Sequence, residues 1–304
     1  MKKHNLQSTY KSLDTEEWLD IYFTRPIGYV WAKFFDHFNI HPNVVTILSI
    51  VIGVSGGIMF YYDDLVHNII GVLLFMWANF YDSADGQLAR MTGKKTRCGR
   101  IMDGLASDII FFTAYFCVCL RLYDKTIPFT SIRWEMWSFA LAALAGFASH
   151  ARQCRLSDYY RNIHLFFLKG VQNELEQSEH IKQQRKETPK KGNFWWRAFL
   201  WGYCNYTNSQ EKMTPRAQQL LKIVREKGID DNFREHFREQ SLPLMKYTNM
   251  LTYNVRAIAL YISCLFNVPW LWLLFECTIM NILLYYMWYK HEQMCKTLSQ
   301  NIKK

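Results

Sequence analysis

Six stretches of this chain carry almost no charge, and the stretches between them carry a great deal. Val44–Tyr62, Leu65–Tyr81, Ile109–Leu122, Trp134–Phe147, Ala257–Val268 and Trp270–Tyr289 are apolar runs. With their flanks, most reach the roughly 20 residues that an α-helix needs to cross a bilayer. The expected architecture is therefore all-α: a polytopic membrane protein of six transmembrane helices, with an N-terminal interfacial amphipathic helix and a helical cytosolic insert. The segments that follow are 1–41 (cytosolic or interfacial), 42–155 (a membrane core of four spans), 156–246 (a basic cytosolic insert), 247–290 (two further spans) and 291–304 (a cytosolic tail). The fifth run is the weakest of the six, because Arg256 sits at its end.

Charge sets the expected orientation. The net charge is +10. Lys2, Lys3, Lys11, Arg25 and Lys33 precede the first run, Lys94, Lys95 and Arg97 separate the second from the third, and the stretch from Arg152 to Lys246 is rich in both cations. The positive-inside rule assigns these segments to the cytoplasm. Arg121, Lys125 and Arg133 run against that assignment. Basic charge so placed fits anionic lipid head groups, so a lipid bilayer is expected as a partner and nucleic acid is not. Met1–Asp36 is mostly polar or amphipathic, and no cleavable signal sequence is expected there. Of the eight cysteines none forms a CxxC pair, so neither a disulfide nor a zinc ribbon is expected.

Before the first run, Asp14-Thr-Glu-Glu17 has the form of a capping box, followed by Trp18, Leu19, Tyr22 and Phe23 at helical spacing. After Pro26 the pattern resumes with Ile27, Val30, Trp31, Phe34 and Phe35, an aromatic-rich amphipathic stretch suited to an interface or to packing on the protein's own cytosolic face. His41-Pro42-Asn43 is expected to open the first span, with proline at a helix start. Within the insert, Asn173–Lys191 reads as a solvated helix or disorder, and Phe194–Trp201 interleaves aromatics with Arg197 and is expected to touch the membrane surface.

The chemistry sits in one run, Asp82-Ser-Ala-Asp85-Gly86-Gln-Leu-Ala89-Arg90, and in Gly99-Arg-Ile-Met-Asp103 beyond it. Carboxylates in apolar stretches are costly and mark a functional site by default. Asp82 and Asp85 share one helix face, and Asp103 lies one turn into the next helix. Each alone is explained by pairing with Arg90, Lys94, Lys95 or Arg100. All three together, with glycines in register, point to a metal. Hard oxygen ligands suit Mg²⁺ or Mn²⁺, and two such ions about 3.5–4 Å apart can clamp a transferring phosphoryl group. Gly86 and Ala89 leave room for a ligand at the backbone, and Arg90 can offer bidentate charge to a diphosphate.

The pattern D-x2-D-G-x2-A-R-x8-G-x3-D resembles the signature of the CDP-alcohol phosphotransferases, matching at Asp82, Asp85, Gly86, Ala89, Arg90, Gly99 and Asp103. The resemblance is close over residues 15–155 and looser over the last two runs. It implies an integral membrane enzyme, of the bacterial inner-membrane kind, with its active site facing the cytoplasm. The implied reaction is attack of an alcohol acceptor on a CDP-linked lipid or alcohol donor, releasing CMP. A homodimer is implied as well, and a pocket for the nucleotide shaped by Gly86, Ala89 and Gly99.

The family pattern continues to a fourth aspartate where this chain has Ser107, followed by Asp108. On a regular helix Ser107 lies about 40° and Asp108 about 140° from Asp103. The expectation is a π-bulge that re-registers the helix, making Asp108 a metal ligand with Asp82, Asp85 and Asp103, and the catalytic base beside Asp103. Transfer of phosphocholine or phosphoethanolamine to a lipid hydroxyl is an alternative under the same motif, and an inactive membrane scaffold is an alternative of another class. Arg152, Arg155 and Arg256 are candidates for binding a phosphorylated acceptor, against the alternative of anchoring and snorkelling. Glu276 is a buried acid that either pairs with Arg256 or is protonated.

Overall fold

Proline and glycine set the helix boundaries in the first half of the chain. In the computed structural model, which describes residues 6, 12–94, 97–169, 175, 177–228 and 230–303, the regular structure of the described residues is helical. Asp20–Thr24 is a π-helical turn closed by the Arg25 N–H on the Asp20 carbonyl. It leads into α1, Arg25–His37, with Pro26 in its first turn, where a missing N–H costs nothing. Pro42 opens α2, Pro42–Met59, and the His41 ring accepts from the Asn43 N–H at 3.2 Å. Asp64 caps α3, Leu65–Thr92, through the His67 N–H, and Gly93 ends it in the left-handed region at φ 72°. α4 spans Arg97–Leu122.

The capping box does not form. Asp14 lies inside a 3-10 turn, Leu13–Thr15, and the helical stretch starts at Trp18. Glu17 instead uses its carboxylate on Asn254, at 2.6 Å. A tertiary partner has outcompeted the local one.

The chain divides into two units, 1–150 with 253–280, and 151–252 with 281–304. In the first, α2 packs on α3 and α4, and α1 lies on α3. Gly56 and Gly71 permit the α2–α3 approach, since a Cβ on either would come within 3.0–3.1 Å of the other's carbonyl oxygen. The Ser49 hydroxyl spans the same interface to the Ala78 carbonyl, at 2.8 Å. The core joins Phe60, Phe75 and Phe111 to Tyr115 and Trp272, whose rings stack 4.3 Å apart. Trp272 belongs to α12, Pro269–Cys277, which follows α11, Tyr253–Leu265. A second run leaves α4 through α5, Glu135–Ala143, into a π-helical stretch, Leu144–His150.

Outward from this core the unit presents apolar side chains, such as Val51, Leu73 and Phe112, each more than half exposed, which in water would be a liability and in lipid is the fitting surface. α1 packs one face on the protein and leaves the other uncovered. Ala32 and Phe35 are buried with Ala84 and Leu88, while Val30, Phe34 and Phe38 are exposed.

Of the six spans expected, four described segments are long and apolar enough to cross a membrane: Pro42–Met59, Leu65–Thr92, Met102–Leu122 and Pro269–Ile302. α11, with 13 residues, extends only about 20 Å against a hydrocarbon core of about 30 Å. The α5 run divides between α and π geometry. Arg121 is not a loop charge. It is 5% exposed and donates to the Phe60 carbonyl at 3.2 Å, to Asn68 at 2.8 Å and to Asn267 at 2.7 Å.

The second unit holds α6, Ala151–Lys169, α7, Ser178–Glu187, α8, Phe194–Met213, α9, Pro215–Lys227, and α10, Asp231–Met250, with most of α13, Ile279–Lys303. It therefore starts before the expected insert and includes the C-terminal helix. Glu292 on α13 accepts from the first backbone amides of α9, Arg216 at 2.7 Å and Ala217 at 3.3 Å, and from the Tyr160 hydroxyl at 3.1 Å. A carboxylate at a helix N-terminus satisfies donors that have no partner within the helix. The stretch expected to be solvated is helical over α7, which buries Ile181, while residues 170–174 and 176 lie outside the described ones. Phe194 and Trp195 at the start of α8 are exposed.

Candidate metal centre

The last turns of α3 and the second turn of α4 bring Asp82, Asp85 and Asp103 together. One carboxylate oxygen from each lies within 4.8 Å of the others. Asp85 is buried, Asp82 half-buried and Asp103 exposed, so the group is open on the α4 side. Gly104, beside Asp103, has open space where a Cβ would stand. Each of Asp82 and Asp85 is within electrostatic reach of Asp103. Three like charges this close repel, and a divalent cation removes the repulsion while accepting hard oxygen donors of this kind. The residues fit Mg²⁺ or Mn²⁺.

The Thr46 hydroxyl on α2 donates to Asp85 Oδ2, and also lies 3.2 Å from the Pro42 carbonyl of its own first turn. The hydroxyl fixes one oxygen of the buried carboxylate, the usual way an outer residue orients a ligand. On the other side of α3, Gln87 Nε2 donates to the Arg25 carbonyl at 3.0 Å and lies 3.1 Å from the Ser83 hydroxyl. Arg25 in turn makes a two-pronged pair with Glu16, Nε to Oε2 at 3.0 Å and Nη2 to Oε1 at 3.2 Å. The Arg90 guanidinium lies over Gly86, where a Cβ would stand 3.3 Å from Nη1. Ala89 follows on the same helix, and Gly99 is half-buried in the first turn of α4.

Thus the structure brings Asp82, Asp85 and Asp103 into one group, with Arg90 and Gly86 on the same stretch of α3. It does not re-register α4. The helix is α-helical across Met102–Leu122, with no π-bulge at Ser107. Asp108 is exposed and outside the group of three. Among the described residues, π turns occur elsewhere, at Asp20–Thr24 and Leu144–His150.

The three candidate arginines have three different environments. Arg152 is exposed. Arg155 donates to the Ser209 hydroxyl at 2.8 Å and lies over the Tyr206 ring. Arg256 is fully buried, with its Nη1 3.7 Å from Glu276 Oε2 and its guanidinium over Phe111. Of the two alternatives for Glu276, it is the pairing with Arg256 that the structure shows.

Thr46, Glu16 and Arg25 escaped the sequence reading as site neighbours. Thr46 carried a local signal, four residues after the proline that opens the first span. Other contacts join segments far apart in the chain: the Asn254 amide donates to both Glu17, at 2.6 Å, and Asp20, at 3.0 Å.

Comparison with known proteins agrees with this geometry. A family model described as CDP-alcohol phosphatidyltransferase matches residues 39–160, which include all three carboxylates and Thr46. An uncharacterized protein of Aquifex aeolicus (strain VF5) is 33% identical over 86 residues, covering 27% of this chain and 42% of that relative. The alignment thus spans less than half the length of the relative.

Proposed function

We propose, from the match of residues 39–160 to the CDP-alcohol phosphatidyltransferase family model, that this chain transfers a phosphatidyl-type substituted phosphoryl group from a CDP-linked donor to an alcohol acceptor. The observation that carries the reading is the convergence of Asp82, Asp85 and Asp103 within 4.8 Å, inside the matched segment. The acceptor oxygen forms a bond to the phosphorus attached to the non-cytidine alcohol. The bond from that phosphorus to the bridging oxygen breaks with its electron pair going to that oxygen, CMP leaves, and the acceptor's hydroxyl proton passes to water.

Asp82, Asp85 and Asp103 would hold Mg²⁺ or Mn²⁺, which when bound neutralises charge on the diphosphate and on the leaving CMP. Arg90 binds the diphosphate through its fork. Gly86, Ala89 and Gly99 keep the helix surfaces low where the nucleotide lies. Thr46 holds Asp85 in one orientation. Arg152, Arg155 and Arg256 remain the proposed cations for a phosphorylated acceptor, with Arg256 held in place by Glu276.

The proposed setting is a polytopic membrane core of six passes, in which the α5 run and α11 complete the four long spans, with the site on the cytoplasmic side and the protein acting as a homodimer. A metal-dependent assay of CMP release, run over a panel of CDP-linked donors and alcohol acceptors, tests the reading. Turnover that needs Mg²⁺ or Mn²⁺ and disappears in Asp103→Ala supports it. No turnover with any pair, in a protein that still binds Mn²⁺, favours the second reading, an inactive membrane scaffold. The specific observation behind that second reading is Ser107 on an α-helix without a bulge.

A further inference from the structure

Arg25 stands outside the signature and outside the roles assigned so far, yet the fold invests several contacts in holding it. Its carbonyl is bound by Gln87, two residues along α3 from Asp85. Close by, Gly28 of the same helix lies against Ser83, where a Cβ would come 2.7 Å from the hydroxyl. The backbone of Arg25 is therefore pinned to the stretch of α3 that carries the carboxylates. Its side chain is fixed separately, by the side-on pair with Glu16, whose carboxylate is 1% exposed. The π turn at Asp20–Thr24 lies between the two partners, and the pair closes it.

The side chain so held is 19% exposed, and its charge is within electrostatic reach of both Asp82 and Arg90. Setting two guanidinium groups near each other is unfavourable unless an anion sits between or beside them. Glu16 is one such anion. An Arg fork carries five N–H groups, of which Glu16 engages those on Nε and Nη2. Such a fork matches phosphate oxygens in the bidentate manner that a lysine cannot.

We propose that Arg25 is a second cation for the diphosphate of a nucleoside-diphosphate-linked donor, acting opposite Arg90, and that Glu16 is its positioning residue. This rests on the reading of the carboxylate group as a CDP-substrate site. It adds to that site a contribution from the amphipathic N-terminal segment, so that docking of this segment on α3 and competence to bind the donor become one event.

The experiment compares binding of CDP and of CMP, each with Mn²⁺, to the full-length detergent-solubilised protein and to Arg25→Ala, Arg25→Lys and Glu16→Gln, with thermal unfolding followed in parallel. Loss of a charge-assisted contact to phosphate is expected to weaken CDP binding about tenfold or more in Arg25→Ala. CMP binding should fall much less, and Arg25→Lys should be intermediate. Glu16→Gln should follow Arg25→Ala in direction. Unchanged CDP affinity in Arg25→Ala overturns the proposal. So does an equal fall for CDP and CMP together with a lowered unfolding temperature, which would make Arg25 an anchor of α1 only. If Arg25→Ala does not fold, the same comparison in Arg25→Lys and Glu16→Gln decides. A wild-type protein that binds neither nucleotide overturns the CDP-substrate reading itself, a different result from wild-type binding that Arg25 does not influence.

Discussion

The Thr46 hydroxyl on α2 donates to the Asp85 carboxylate on α3, so a residue 39 positions away in the chain sets the orientation of a buried acid in the candidate metal centre. Outer-shell hydrogen bonds of this kind are typically worth 10–100-fold in metal affinity. Thr46→Val is expected to weaken Mn²⁺ binding by about tenfold or more, and Thr46→Ser, which keeps the hydroxyl, by much less. Titration of bound Mn²⁺ by electron paramagnetic resonance reads the difference. Equal affinities in Thr46→Val and wild type would remove Thr46 from the site.

On the regular α4 helix it is Ser107, about 40° from Asp103, and not Asp108, about 140° away, that shares the face of the carboxylate group. Asp108→Asn is accordingly expected to keep turnover within about threefold of wild type, a loss far below the 10²-fold or more typical of a lost acid–base group. Ser107→Asp should tighten Mn²⁺ binding by adding a fourth oxygen ligand. CMP release as a function of metal concentration checks both. Abolished turnover in Asp108→Asn would show that α4 changes register in the working enzyme.

Arg256 and Glu276 are both fully buried and stand 3.7 Å apart. Removing one partner leaves the other as an isolated charge, a loss of about 3–5 kcal/mol in buried pairs. Glu276→Ala should therefore lower thermal stability markedly in detergent, whereas Arg256→Met with Glu276→Leu should recover most of it. If the double variant is as unstable as the single one, the pair matters for more than its mutual charge. Acceptor binding at this pair would read as a raised acceptor KM in a double variant whose stability has recovered.

Tyr159 on α6 gives the second unit a pH signature. Burial pushes its phenol up to about 12 from the ordinary 10, against the amide of Gln218, 2.6 Å from the hydroxyl. The folded state resists ionisation, so the unfolded chain holds fewer protons between these values and stability falls as pH rises through that window. The loss is absent below pH 10 and reaches about 2–3 kcal/mol by pH 12. Absorbance titration of wild type minus Tyr159→Phe should show one phenol ionising near the upper value. A difference spectrum that titrates near 10 would contradict the burial.

What the sequence made legible was whatever repeats at helical spacing inside an apolar context. Asp82 and Asp85 three apart, and Asp103 one turn into α4, could be placed together without tertiary information, and so could Pro42 as a helix start. What it hid was competition between partners. Asp14 and Glu17 have the spacing of a cap, but Asn254, over two hundred residues on, takes Glu17. Likewise the span count rests on composition, which cannot register that α11 is only 13 residues long or that the α5 run turns π-helical. The expected bulge at Ser107 failed for a related reason. The register of α4 is set by its packing on α2, where Ile110 fills the space over Gly53 and Thr113 and Ala114 meet Gly57, and no position there asks for an extra residue.

Arg121 carries a consequence for reading the orientation of the chain. Its guanidinium ties the end of α2, the first turn of α3 and the α11–α12 turn into one knot, while Lys125 is matched by Asp63 at 3.1 Å. A charge that closes a knot inside the fold is not presented to either aqueous side. Of the three cations that run against the topology, Lys125, 38% exposed beside Asp63, and Arg133 still oppose it, because an acidic neighbour does not cancel a loop lysine in the positive-inside count.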